Sequence, residues 1–314
     1  MHDLVSLGEV LLRLAVPSPA RIETARQLDI QFGGAEANVA ATVARLGLRT
    51  AWISALPANA WGDRVRRELS AHGVDCGYVR RTEGARLGLY FLEYGVPPRP
   101  IRVLYDRRES AFARLGVEDV DWEPVRRARL VHVSGVTAGL GESGRALVRR
   151  AADEASVLSF DVNYRAALWT PAEARRFIEP ILPRVRYLFM GEEEAATVFE
   201  LTGSPESTLE TLARWAPKAT IALLRGANGS LVRDGDRVYA PTRRPAVQVV
   251  DPIGAGDAYV AGFLWSTLRE RPIQEAVDTA DAVAGLKCST WGDIAIIDAG
   301  DVEDALAGGP GVRR

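Results

Sequence analysis

The run Asp251-Pro252-Ile253-Gly254-Ala255-Gly256-Asp257 has the residue types and spacing best suited to chemistry. It follows the apolar run Ala246–Val250 and opens a helical pattern that continues through Leu268. Gly254-Ala255-Gly256 therefore falls at a helix N-terminus, where backbone N–H groups lack carbonyl partners and the helix dipole favours an anion. Small residues there let a phosphate approach the backbone closely. Asp257 would lie beside a transferring phosphoryl group, where a carboxylate can take the proton of an attacking hydroxyl. The plainer reading is a tight strand-to-helix turn with an acidic residue in the first helical turn.

Other phosphate fingerprints do not fit. Tyr259 stands where a dinucleotide motif needs its third glycine, and the run lies late in the chain. No Gly-x-x-x-x-Gly-Lys-Ser/Thr occurs, so the chain is not a P-loop enzyme.

The elements that must position this run are legible as an alternation. Leu4–Leu7, Thr50–Ala55, Leu130–Val133, Val157–Phe160, Tyr187–Met190 and Ile221–Leu224 are short apolar runs that read as buried strands. Amphipathic stretches lie between most of them: Asn38–Leu46, Gly62–His72, Glu142–Ala155 and Pro171–Leu182, the last with Thr170 as N-cap and Pro at its first position. Repeated strand–helix–strand order argues for a mostly parallel sheet with helices on both faces. Leu11–Ile30 and Leu87–Tyr105 break the rhythm. In the second, two alternating runs flank Gly95–Pro100 and predict a hairpin, suited to a lid or a subunit contact. The tail from Gly308 reads as frayed.

Composition sets the class. The 314 residues are 47% hydrophobic and 25% charged, as in ordinary globular proteins, with a net charge of -2. That balance predicts neither nucleic acid nor an anionic membrane as partner. Lys218 and Lys287 are the only lysines. Cys76 and Cys288 have no metal or redox spacing and read as free thiols, and His2, His72 and His132 are too scattered for a zinc site. Without a signal-like start or a membrane-length apolar run, the expectation is a cytoplasmic protein.

Residues 251–257 resemble the C-terminal signature of ribokinase-like (phosphofructokinase-B) carbohydrate kinases, Asp-x-x-Gly-Ala-Gly-Asp. Phe32-Gly33-Gly34-Ala35-Glu36-Ala37-Asn38-Val39-Ala40, leading to Arg45-Leu46-Gly47, resembles the N-terminal signature. Both occur in family order across essentially the whole chain. The resemblance implies a single three-layer α/β domain over 1–314, with a mostly parallel central sheet and a small β lid from segments of about 11–31 and 87–112. It implies ATP with Mg²⁺, Asp257 as base, and the N–H groups of Gly254, Ala255 and Gly256 as an anion hole. Gly33, Gly34 and Asn38 match sugar-contacting positions. Arg225, Gly226 and Gly229, with Gly254 and Gly256, match nucleotide-side positions. Glu194 matches the Glu of the family's Asn-x-x-Glu motif, which organises magnesium, although Gly191 replaces the Asn. Many members use a monovalent cation beside the residue matching Asp251, which admits K⁺ here.

Within the family the chain resembles 2-keto-3-deoxygluconate kinases in Gly33–Glu36, Tyr105-Asp106-Arg107 with Ser110-Ala111, Asp161–Arg165, and Leu286–Cys288 with Trp291-Gly292-Asp293. An acidic sugar needs a cationic partner, which Arg107 and Arg165 could supply. Tyr90 and Tyr105 would shape the pocket and Asp293 would take a hydroxyl. Each also has a bland reading as surface charge or packing. The rival readings are a neutral-sugar or nucleoside kinase such as a fructokinase, and a non-catalytic sugar sensor. Self-association through the lid strands is a further expectation.

Overall fold

The computed structural model describes residues 1–96, 98–243 and 247–308. Pro97 of the expected hairpin link, Ala246 at the head of the apolar run, and the tail beyond Gly308 lie outside the described residues.

β1 (Leu4–Leu7) lies inside the main sheet, and its side chains alternate between two cores: Val5 and Leu7 enter one, Leu4 the other. Apolar side chains on both faces are what a strand covered by helices on both sides requires. The chain leaves this sheet for β2 (Leu11–Val16) and β3 (Asp29–Gly33), then returns through α1 (Ala35–Arg45) to β4 (Thr50–Pro57). α2 (Ala60–Ala71), capped by the Asn59 side chain, leads to the edge strands β5 (Val74–Asp75) and β6 (Val79–Thr82). β7 (Gly88–Glu93) and β8 (Arg102–Asp106) again lie apart. After α3 (Glu123–Arg127), β9 (Leu130–Ser134) pairs with β1 on the side away from β4.

From there α4 (Gly135–Gly139), α5 (Glu142–Glu154), β10 (Leu158–Asp161), α6 (Pro171–Ile178), β11 (Val185–Gly191), α7 (Glu192–Phe199), α8 (Pro205–Trp215) and β12 (Thr220–Leu224) extend the sheet in one direction. β13 (Ser230–Asp234) and β14 (Arg237–Tyr239) close that edge antiparallel. α9 (Ala255–Leu268), α10 (Ile273–Cys288) and α11 (Ala299–Ala307) complete the chain. The order is β14-β13-β12-β11-β10-β9-β1-β4-β5, with β6 also on β4. α5 to α8 pack on one face, and α1, α2, α9, α10 and α11 on the other, giving the three-layer α/β fold expected from the sequence. The expected helix Pro171–Leu182 stops at Ile178, because Pro180 cannot donate the next helical hydrogen bond.

β1 is followed by β4 on one side and, later, by β9 on the other, so the connections diverge between β1 and β9. In open α/β sheets that divergence leaves a crevice outside the strands' carboxyl ends. A second, four-stranded sheet, β3-β2-β7-β8, is built from the two segments that broke the rhythm. β7 and β8 form the expected antiparallel hairpin, with Tyr90 opposite Tyr105, and Arg13 of β2 opposite Tyr90. These three share one face of the small sheet.

Candidate active site

The crevice holds a cleft of about 910 Å³. Asp161 at the end of β10, Gly191 at the end of β11 and Leu224 at the end of β12 line its floor, and Tyr90, Val103 and Tyr105 line it from the small sheet. A second cleft of about 660 Å³ adjoins it through Gly226, Ala255 and Gly256, and has apolar walls including Val247 and Val249.

Asp257 sits in the first turn of α9, 8% exposed, on the wall of the larger cleft. The Asn38 side-chain amide donates to one of its oxygens at 2.7 Å, and that of Asn163 to the other at 3.3 Å. Burial pushes its carboxyl up to about 7, opposed by the Asn38 hydrogen bond and by the charge of Arg165. A carboxylate poised near neutrality suits general-base work. The N–H groups of Gly254, Gly256 and Asp257 have no hydrogen-bond partner among the described residues, whereas Ala255 N–H donates to the Pro252 carbonyl at 3.2 Å. Gly254 begins α9 at φ +83, and a Cβ on it would collide with the Asp293 carbonyl, so glycine is required there twice over.

Further carboxylates gather beside the base. Burial, reinforced by the charges of Glu194 and Asp257, pushes Asp161 well above the ordinary carboxylate range. Burial also raises Glu194, whose two oxygens accept from Gly191 N–H at 2.8 Å and Tyr164 N–H at 2.7 Å. Asn163, held at φ +38, donates to Asp161 at 2.9 Å and has its own side-chain oxygen buried without a partner. Among the described residues no three acidic or other ligating side chains form a metal site on their own, so a divalent cation would arrive with the phosphates of a nucleotide, beside these raised carboxyl groups. The half-buried Arg225 and the turn Gly226–Asn228 face this cleft, while Gly229 opens to the adjoining one.

At and behind the opposite wall, charges are paired. Arg13 is fully buried and donates to Asp251 at 2.5 Å, to Asp293 and to the Tyr94 hydroxyl. Tyr90 donates to Asp293 at 2.7 Å. Arg107 gives Nε and Nη2 to Glu9 at 2.8 and 2.5 Å, and Nη1 makes no hydrogen bond among the described residues. Its guanidinium lies over the Tyr105 ring. A Cβ on Gly33 would strike the Asp293 carboxylate, and one on Gly34 the Glu9 carbonyl, so both glycines admit close packing at the rim.

The site residues read from the sequence thus converge, with exceptions of role. Gly33, Gly34, Asn38, Tyr90, Tyr105, Arg107, Arg165 and Asp293 all line the larger cleft with Asp257. Asn38 is engaged at both ends, accepting from Gly34 N–H at 3.2 Å and donating to the base. Asp251 lines neither cleft. Its side chain accepts from Arg13, Tyr94, Ile253 N–H and Gly292 N–H, and its carbonyl accepts from Lys287. The monovalent cation expected there does not fit, because both kinds of oxygen it needs already serve donors. Sequence reasoning missed Glu9, Asp161 and Asn163 as cleft residues, and Arg13 and Lys287 as buried supports behind them. Arg13, the lone charge in the apolar run Leu11–Val16, and the lysine of an almost lysine-free chain were the available signals. Cys76 and Cys288 are free thiols, as expected. No described helix is long and apolar enough to cross a membrane.

Comparison with known proteins agrees with this geometry. The model of the pfkB family of carbohydrate kinases matches residues 1–299. A 2-dehydro-3-deoxygalactonokinase of Haloferax volcanii is 38% identical over 98% of this chain and 97% of its own. A 2-dehydro-3-deoxygluconokinase of Thermoproteus tenax is 30% identical over 93% and 90%. The crystal structure of a 2-dehydro-3-deoxygluconokinase from Thermotoga maritima superposes with a TM-score of 0.92 at 31% identity, covering 98% of this chain and all of that one. With both signatures meeting at one cleft, the chain belongs to the pfkB family of carbohydrate kinases, ATP-using phosphotransferases related to those acting on 2-dehydro-3-deoxy sugar acids.

Proposed function

We propose that this kinase phosphorylates the terminal hydroxyl of 2-keto-3-deoxygluconate, giving the 6-phosphate and ADP. The observation that carries the reading is one cleft with the base and backbone cradle on one wall and Arg107 with Tyr90 and Tyr105 on another. Arg107 retains Nη1 for a carboxylate, and the tyrosine hydroxyls supply directional contacts. Arg165, exposed at the cleft and close enough to Asp257 to favour its charged form, would meet the sugar acid or the transferring phosphoryl group.

In this reading Asp257 accepts the proton of the acceptor hydroxyl as its oxygen bonds to the γ-phosphorus, and the bond to ADP breaks in line. The free N–H groups of Gly254 and Gly256 stabilise charge on the transferring group. The triphosphate itself calls for Mg²⁺, with Asp161 and Glu194 organising its side of the cleft. Arg225, Gly226 and Gly229 take the nucleotide side, and the apolar adjoining cleft suits the base. The small sheet acts as a lid that excludes water during transfer. The same reading includes self-association through the lid's outer face, supported by the apolar row Ile30, Leu14, Phe91 and Leu104 across it.

A second reading is the galactonate epimer, favoured by the higher identity to the Haloferax protein. The test is ATP-dependent phosphorylation of both 2-keto-3-deoxy acids beside fructose, ribose and adenosine. Preference for either acid by about tenfold or more in kcat/KM supports the acidic-sugar reading and selects the epimer. Preference for a neutral acceptor overturns it, and would mean that Glu9 neutralises Arg107 for good.

A further inference from the structure

The loop 251–257 must hold its free N–H groups towards the phosphoryl group, and it is anchored at Asp251. Asp251 is wholly buried. Its Oδ2 accepts from Arg13 at 2.5 Å, the Tyr94 hydroxyl at 2.8 Å and Gly292 N–H at 3.0 Å, and its Oδ1 from Ile253 N–H at 3.0 Å. The Asp251 carbonyl accepts from Lys287 Nζ at 2.8 Å. Lys287 is itself fully buried in the last turn of α10. The next residue, Cys288, takes the N–H groups of Val250 and Asp251 on its carbonyl at 2.8 and 3.1 Å. The end of α10 therefore grips the start of the loop through three hydrogen bonds, one of them from an ammonium.

An alkali cation at this anchor would need several oxygen ligands, and a carboxylate and a carbonyl of the same residue are natural ones. Here both are bound by fixed cationic side chains. The local charge also closes: Asp251 and Asp293 supply two negative charges, and Arg13 and Lys287 supply two positive ones. A further cation would face like charge without a ligand set. We propose that Lys287, with Arg13, is a built-in replacement for a monovalent cation, a positioning pair that fixes the anion-hole loop and makes turnover independent of K⁺. Neither side chain touches the reacting atoms. Lys287 acts through the Asp251 carbonyl, which sets the peptide leading into Pro252, Ile253 and the left-handed Gly254.

The proposal rests on the kinase activity and not on which sugar is used. The experiment measures turnover in KCl against choline chloride at equal ionic strength, for the unaltered protein and for Lys287→Met. The unaltered protein should change by less than about twofold between the salts. Lys287→Met should lose about tenfold or more in kcat and recover part of it with K⁺ or NH₄⁺, a rescue that a merely structural lysine would not show. Saturable activation of the unaltered protein by K⁺ of about fivefold or more overturns the proposal, as does a Lys287→Met protein with undiminished kcat. Should the variant fail to fold, the salt comparison on the unaltered protein still decides. Absence of turnover with every acceptor in both salts would mark failure of the acceptor reading instead. In that event, ATP affinity by calorimetry decides: equal values in the two salts support the built-in cation, and tighter binding in KCl refutes it.

Discussion

At the residue scale, the site depends on one carboxylate held where ionisation is costly. Asp257 is buried, so its carboxyl rises from an ordinary 3.8 to about 7. As base it must be deprotonated, so kcat/KM should fall about tenfold per pH unit below about 7 and level off above it. Asp257→Asn should lower kcat by about 10²–10⁴ and abolish that limb, read from a pH–rate profile. The same variant reports stability. A pKa raised in the folded state means that the folded protein binds this proton more tightly than the unfolded chain. Its contribution is complete below 3.8 and is lost as pH rises through about 7. Asn carries no such penalty, so Asp257→Asn should raise the melting temperature more at about pH 8 than at about pH 5. Equal melting shifts at the two pH values would place the Asp257 pKa near its ordinary value. The identity of the base was legible because glycine spacing, a preceding apolar run and a following helical pattern all fall within one continuous stretch, Ala246–Leu268. Asn38 was legible as a site residue, but its bond to the base was not, nor was that of Asn163: they reach Asp257 from α1 and from the loop after β10, 219 and 94 residues away, and nothing local marks those separations.

At the element scale, Arg13 joins β2 of the small sheet to the loops that carry Asp251 and Asp293. The alternation of β2 explains how it gets there. Leu12 and Leu14 take the other face of the small sheet, so Arg13 between them shares a face with Tyr90, buried beside the cleft. Read as a sequence, Leu11–Val16 is an apolar strand with one misplaced charge; only pairing across the sheets shows that two carboxylates await it. Arg13→Met should cost about 3–5 kcal/mol in urea unfolding, because it leaves Asp251 and Asp293 buried without their counter-charge. A loss below about 1 kcal/mol would mean that water or rearranged donors replace the guanidinium. The strands of the main sheet were easier to read. Those in its middle are largely apolar on both faces, as at β1, whereas β5 and β6 on one side and β13 and β14 on the other carry charged residues and leave no such run. The end of α6 shows the limit of amphipathic pattern: the periodicity runs on to Leu182, but Pro180 breaks the backbone.

At the scale of the whole molecule, the small sheet has two faces with different fates. On one, Tyr90 and Tyr105 line the cleft, with Arg13 buried beside them. On the other, Ile30, Leu14, Phe91 and Leu104 stand opposite one another across all four strands. Ile30 is 39% and Leu104 58% exposed, and the two between are half-buried. A continuous apolar row across a sheet is unusual on a surface that meets only water. Pairing two such sheets face to face would remove both rows from solvent and, with the small sheet in its proposed role as lid, would tie the lid of one copy to that of its partner. Association should therefore affect lid motion as well as mass. Leu104→Glu with Ile30→Lys, both outward-facing, should shift the sedimentation coefficient from dimer to monomer while leaving the Asp257 pH profile in place. KM for the sugar should rise more than kcat falls, since a freed lid weakens closure over the acceptor rather than the chemistry. A monomeric unaltered protein at assay concentration, or a double variant with unchanged mass, would show that this row has no partner in a second copy of the chain.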